Sequence, residues 1–154
     1  MKNSRVLFVC LGNICRSPTP HAIMEQKIQV AGLSKKFYID SAGTGNYHQG
    51  QLPDSRMRQY AAQRGYALQS RARQITQQDV KTFDMIITMD EHNYADVKKM
   101  LSIEQLLKLH RLSDFSQSYE FLEVPDPYYG GAKGFSKVLD LLEDACAGLL
   151  KKLN

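Results

Sequence analysis

Two cysteines, a glycine, an asparagine and an arginine share one short stretch, "VCLGNICRSP" at Val9 to Pro18, directly behind the apolar run "RVLFV". Gly12 and Asn13 tolerate backbone angles that turn successive N–H groups inward, which makes a concave nest for an anion. A helix starting behind such a nest adds unpaired N–H groups and a dipole that favour negative charge at the same place. Arg16 contributes a planar, permanently charged fork that matches two oxygens of a phosphate. Cys10 stands at the strand end with its sulfur facing the centre of that anion, and the field that holds a phosphate also favours a thiolate. Ser17 can donate a hydroxyl hydrogen bond to the sulfur. A nucleophile inside an anion nest predicts covalent phosphoryl transfer.

The leaving oxygen then needs a proton. Asp126 in "PDPYY" is held between two prolines that restrict its backbone, and it is the candidate general acid. Its bland alternative is a turn former. Tyr128 and Tyr129 beside it offer aromatic surfaces to a ring-bearing substrate. Cys15 has two readings that stay open: core packing, or a thiol that captures oxidised Cys10 as a disulfide. Cys146 falls on the apolar stripe of the last helix and reads as core. The four histidines show no metal-ligand spacing and read as surface or packing residues.

These groups need rigid elements behind them, and strand and helix patterns alternate along the chain. "RVLFV" predicts the first strand. Helical spacing runs from Pro18 to Ala31, with Gly32 as its stop. "KFYID" predicts the second strand, and "SAGTGNYHQGQLP" a glycine-bearing loop. A helix starts near Pro53 and Asp54 with Met57, Tyr60 and Ala61 on its buried face. "TQQD" at Thr76 to Asp79 has the form of a capping box. "DMIITM" predicts a third strand buried on both faces, and Asp90 caps the helix after it. "IEQLLKLHRL" fits a helix or a strand. "EVPDPYYGGAKG" predicts a loop, and Phe135 to Leu150 a long amphipathic helix. The order implies an α/β fold, a parallel sheet with helices on both faces, and ligands sit at the carboxyl ends of such strands.

"VCLGNICRSP", "DSAGT" at Asp40 to Thr44, "ARQ" at Ala72 to Gln74 and "DPYYGG" at Asp126 to Gly131, in that order, resemble the low-molecular-weight protein tyrosine phosphatases over essentially the whole chain. The resemblance implies a single domain over residues 1–154, with a four-stranded parallel sheet and a phosphate-binding loop after the first strand. It also implies a two-step hydrolysis that uses no metal and no cofactor. Cys10 would attack phosphorus to form a cysteinyl-phosphate. Arg16 and the loop from Leu11 through Gly12, Asn13, Ile14 and Cys15 would hold the phosphoryl oxygens, and Asp126 would act as acid and then as base. Asn13, Ser17 and Ser41 would shape the loop, with Tyr47 on the rim of the cleft. Tyr128 and Tyr129 match a pair that can itself be phosphorylated. The implied partners are phosphotyrosine-containing proteins, with inorganic phosphate as product and a monomer or weak dimer as the working form. The chain departs from the family pattern at Pro20 and His21, where members often read Ala-Glu, and at Ser70, where many carry a histidine that bonds into the loop network.

Composition bounds the alternatives. The chain has 154 residues, 43% apolar and 23% charged, which suits one globular domain. No apolar run approaches the roughly 20 residues of a membrane helix, no signal-peptide pattern opens the chain, and the three cysteines do not make a disulfide scaffold; a cytoplasmic protein is expected. A net charge of +4 without a Lys/Arg block predicts no nucleic-acid partner and no membrane partner. Arsenate reductase shares the fold and loop but needs a relay of further cysteines. Protein arginine phosphatases resemble this chain but tend to carry threonine where Ile14 stands. A flavin- or anion-binding module has little use for Cys10, Arg16 and Asp126 together, and no G-x-x-x-x-G-K-[ST] nucleotide loop occurs.

Overall fold

The structure is a computed structural model and describes residues 4–127 and 131–154. Strand β1, Ser4–Cys10, is the centre of the molecule, and Val6 to Val9 in it have no solvent exposure. It pairs in parallel with β2, Phe37–Gly43, on one side and with β3, Met85–Thr88, on the other. A short β4, Leu109–Arg111, lies outside β3, so the order is β2-β1-β3-β4 in a four-stranded parallel sheet. The chain leaves β1 toward one edge and later crosses to the other, and that reversal opens a crevice at the carboxyl end of β1.

Because alternate side chains of a strand point to opposite faces, β1 feeds two cores. Val6, Phe8 and Cys10 pack with Ile23, Met24 and Ile28 of α1 (Pro18–Val30), Met57 of α2 (Ser55–Gln63) and Phe135 and Leu139 of α5 (Gly131–Leu153). Leu7 and Val9 pack with Val80 of α3 (Gln77–Thr82), Ile86 of β3 and Val97 of α4 (Glu91–Lys98). Helices therefore cover both faces, as the alternation of elements predicts. No helix among the described residues is long and apolar enough to cross a membrane.

The local punctuation follows its chemistry. Pro18 opens α1, where its missing N–H costs nothing. Gly32, at φ +73°, ends that helix while Leu33 N–H donates to the Ile28 carbonyl at 2.9 Å. Asp54, Thr76 and Asp90 cap α2, α3 and α4 through their side chains, and Thr76 with Asp79 completes the capping box. "IEQLLKLHRL" is neither one helix nor one strand: a 3₁₀ turn at Glu104–Lys108 runs straight into β4.

Two boundaries differ from the sequence reading. Ser41, Ala42 and Gly43 extend β2 instead of opening a loop, because pairing with β1 continues until Cys10 meets Gly43. A Cβ on Gly43 would come within 2.6 Å of the Leu11 carbonyl oxygen, so glycine lets the two strand ends close up. The loop predicted through Gly134 ends early, since α5 already begins at Gly131. Glycine is a poor helix former, but a Cβ at Gly134 would stand 2.8 Å from the Pro127 carbonyl oxygen. Close packing of Pro127 on the first turn of α5 outweighs propensity there.

Candidate active site

The segment between β1 and α1 is too short to wander, and every turn of it is tied. Thr44 N–H donates to the Cys10 carbonyl at 2.9 Å, Gly45 N–H to that of Leu11 at 3.0 Å, and Asp54 N–H to that of Ile14 at 2.6 Å. With its carbonyls bonded to neighbouring segments, the loop curls around Cys10. Asn13 has φ +57°, the one positive φ among the described non-glycine residues. Asparagine tolerates this left-handed geometry better than most residues. Its side chain then fixes the turn: Nδ2 donates to Ser17 Oγ at 2.8 Å, and Oδ1 accepts from Arg73 N–H at 3.0 Å.

Cys10 Sγ lies 3.0 Å from Ser17 Oγ, and Asn13 N–H donates to it at 3.3 Å. Ser17 Oγ accepts from Asn13 and has one proton to give, with the sulfur nearer than the Ala42 carbonyl at 3.5 Å. In both bonds the sulfur is the acceptor.

Arg16 is held from the far side. Its Nη1 donates to Asp90 Oδ2 at 2.8 Å and to the Val124 carbonyl at 3.0 Å, and both charged side chains are more than four-fifths buried. Asp90 caps α4 with its other oxygen, accepting from Asn93 N–H at 2.8 Å. One carboxylate thus fixes a helix start and the orientation of a guanidinium before any ligand arrives. The buried Asn93 amide closes the arrangement: its Oδ1 accepts from Leu11 N–H at 3.3 Å and its Nδ2 donates to Asp90 Oδ1 at 3.0 Å. Leu11 lines the site, but that N–H is spoken for by Asn93.

Val124 also ties the distant Asp126 segment to the sheet, because its N–H donates to the Met89 carbonyl at 2.8 Å while its own carbonyl receives Arg16. Asp126 and Pro127 consequently line the same cavity as Cys10, Gly12, Ile14, Cys15 and Arg16, a cleft of about 240 Å³. Tyr47 stands at its rim, 73% exposed. Cys15 is buried in the wall, and burial together with the neighbouring Cys10 pushes its thiol well above the ordinary range. Tyr128 and Tyr129 lie outside the described residues.

A cysteine sulfur, a preset guanidinium and a carboxyl group around one anion-sized cleft match the resemblance carried by the sequence motifs. The family model described as low molecular weight phosphotyrosine protein phosphatase matches residues 5–154. The chain belongs to that family. A crystal structure of a protein tyrosine phosphatase from Entamoeba histolytica, solved with Hepes in its active site, is 47% identical with a TM-score of 0.95 and covers 98% of this chain and 97% of its own. A low molecular weight protein-tyrosine-phosphatase of Streptomyces coelicolor is 38% identical over 149 residues, 95% of this chain and 91% of its own length. A drosophila arginine phosphatase is 31% identical with a TM-score of 0.88, covering 100% of this chain and 98% of its own.

Several groups around the phosphatase loop escape a reading of the sequence. Asp90 is legible as a helix cap but not as the partner of Arg16; its place at the carboxyl end of β3, next to the strand carrying Cys10, is the signal that points to it. Arg73 is bound by Asp40 and Asp79 at 2.9 and 2.8 Å, and its backbone N–H reaches Asn13. His48 lines the cleft beside Tyr47, with its ring against Gly12. Ser41 does not bond the loop directly: its hydroxyl lies 3.0 Å from Nδ1 of the buried His21. Cys146 is fully buried between α1 and α5, where its Sγ faces the Pro20 carbonyl, as the apolar stripe predicts.

Proposed function

We propose that this chain, as one catalytic domain over residues 1–154, hydrolyses phosphotyrosine in proteins through a cysteinyl-phosphate on Cys10, without metal or cofactor. The observation that carries the reading is the convergence of Cys10, Arg16 and Asp126 on one cleft. The Cys10 thiolate attacks phosphorus, and the bond to the tyrosyl oxygen breaks as Asp126 delivers a proton to that oxygen. Arg16 and the loop N–H groups hold the equatorial oxygens, where charge builds in the transition state. Asp126, now a carboxylate, takes a proton from water; the water oxygen attacks phosphorus, the S–P bond breaks, and inorganic phosphate leaves with the thiolate regenerated. Asn13, Ser17 and Ser41 support the loop, while Ile14 and Tyr47 line the walls that receive the ring.

The three free, buried cysteines fit a cytoplasmic enzyme. Cys15 shares the cleft wall with Cys10, which supports its role as the redox partner: a Cys10 sulfenic acid condensing with the Cys15 thiol gives a disulfide and water. Full burial of Cys146 counts against an arsenate reductase, because no other thiol remains to carry a disulfide outward.

The structural likeness to an arginine phosphatase makes substrate choice the matter to test. With chelator present throughout, a phosphotyrosine peptide is expected to release phosphate faster than a phosphoarginine peptide, since apolar Ile14 meets the substrate stem. Faster release from phosphoarginine, or loss of all activity with chelator, contradicts the proposal. Asp126→Asn is expected to lower kcat on an alkyl-substituted phenyl phosphate by roughly 10²-fold to 10³-fold, the usual worth of a positioned acid. Steady-state rates unchanged by that substitution would remove Asp126 from the mechanism.

A further inference from the structure

His21 takes no part in the steps above, yet it is one of the few polar side chains enclosed in the protein, 8% exposed. It sits in the first turn of α1, where its N–H donates to the Ser17 carbonyl at 3.3 Å. Nε2 lies 3.0 Å from Glu25 Oε1 one turn on. A carboxylate only accepts, so in the neutral ring Nε2 carries the proton and Nδ1 is left as an acceptor. The group facing Nδ1, at 3.0 Å, is the hydroxyl of Ser41, which therefore donates to the ring.

Ser41 is itself 1% exposed, and its neighbour Ala42 lies beside the phosphate loop while Asp40 bonds toward it. The Ala42 carbonyl stands 3.5 Å from Ser17 Oγ. On the other side, Ser41 N–H donates to Asp40 Oδ1 at 2.8 Å, Asp40 Oδ2 accepts from Arg73 Nη2 at 2.9 Å, and Arg73 N–H donates to Asn13 Oδ1 at 3.0 Å. This route ends on Asn13, whose N–H donates to Cys10 Sγ and whose Nδ2 donates to Ser17 Oγ, the other group at the sulfur. A cavity of about 260 Å³ lined by Pro18, His21, Glu25, Ala67 and Ser70 lies beside the ring. Packing is thin on that side, so hydrogen bonds set the ring's orientation. Without the acceptor at Nδ1, the end of β2 loses the side-chain hydrogen bond that the Ser41 hydroxyl makes to α1.

We propose that His21 is a positioning residue of the phosphatase: through its acceptor on Ser41 it holds the end of β2, and with it Asn13 and Ser17, against the sulfur of Cys10. The inference rests on the reading of Cys10 as nucleophile. It gives His21 a role that a packing histidine lacks, because one particular nitrogen of the ring matters.

Two variants separate the ring nitrogens. The amide of His21→Asn reaches where Nδ1 stood and keeps a partner for Ser41, whereas that of His21→Gln reaches where Nε2 stood and keeps only Glu25. Steady-state hydrolysis of p-nitrophenyl phosphate and the pH profile of Cys10 alkylation by iodoacetamide, located by tandem mass spectrometry, are measured for both. His21→Gln is expected to lose about tenfold in kcat with KM changed by less than about twofold, and its alkylation midpoint moves to higher pH. His21→Asn stays within about twofold of the native protein in kcat and keeps the native profile. Ser41→Ala reproduces His21→Gln, and the double variant loses no more than either single one. It also serves as the test should His21→Gln not fold. Equal losses in the Asn and Gln variants, or additive losses in the double variant, overturn the proposal. Alkylation needs no turnover, so a native protein that fails to hydrolyse the ester while His21→Gln still shifts the profile refutes the phosphatase mechanism and leaves the positioning role standing.

Discussion

Cys10→Ser is expected to abolish hydrolysis of p-nitrophenyl phosphate, with kcat falling by roughly 10⁴-fold or more. The substitution changes one atom at a 3% exposed position, so the packing of β1 against α1 and α5 survives. What disappears is the sulfur nucleophile of the proposed reaction: the bonds from Ser17 and Asn13 remain, but they are far too weak to ionise an alcohol at neutral pH. Because Arg16 and the loop remain, the variant is expected to bind inorganic phosphate within a few-fold of the native affinity by calorimetry, a tolerance set by the unchanged charge at the site. A serine variant that still turns over within about tenfold of native rates would remove Cys10 from the chemistry.

Arg16→Lys is expected to cost about 10³-fold in kcat/KM and to weaken phosphate binding at the same time. The native guanidinium bonds Asp90 and the Val124 carbonyl through Nη1, which leaves the rest of its planar fork to face the cleft. An ammonium group is one point of charge on a flexible stem. If it reaches Asp90 it neutralises that buried carboxylate but offers the phosphoryl group no second donor, and if it turns to the phosphate it leaves Asp90 buried and unpaired. Either choice loses transition-state binding, and the second also lowers the thermal midpoint. Initial rates with the phosphotyrosine peptide check the first effect and thermal unfolding the second. Native kcat/KM in the lysine variant would show that charge alone, not the fork, suffices at this position.

The two variants divide what the sequence makes legible from what only the fold supplies. Cys10, Gly12, Asn13 and Arg16 are close neighbours in the chain, and their roles follow from a strand, a turn and a helix start, so local patterning is enough to find them. The alternation of strands and helices likewise carries the parallel sheet with both faces covered. Partners brought from afar are different. Asp90 reads as a helix cap from its sequence, and its second oxygen finds Arg16 only because β1 and β3 are neighbours in the sheet. The contact between His21 and Ser41 needs α1 to lie across the end of β2. The last residues of β2 look like loop because they are small and one is glycine, and the close approach of the Leu11 carbonyl leaves no room for a side chain at Gly43. At Gly134 the same cause hides a helix start behind a turn-like composition, with the Pro127 carbonyl pressed against it.

The proposed reaction passes the phosphoryl group through the sulfur of Cys10. Its most direct test is to quench the native protein in acid during steady-state turnover of p-nitrophenyl phosphate and read the mass of the peptide that contains Cys10 and Cys15. The expected result is a fraction of that peptide heavier by one phosphoryl group, with fragmentation placing it on Cys10 and no such species in Cys10→Ser. Turnover at native rate with no phosphorylated Cys10 at any quench time, or with the phosphoryl group on another residue, would contradict the account.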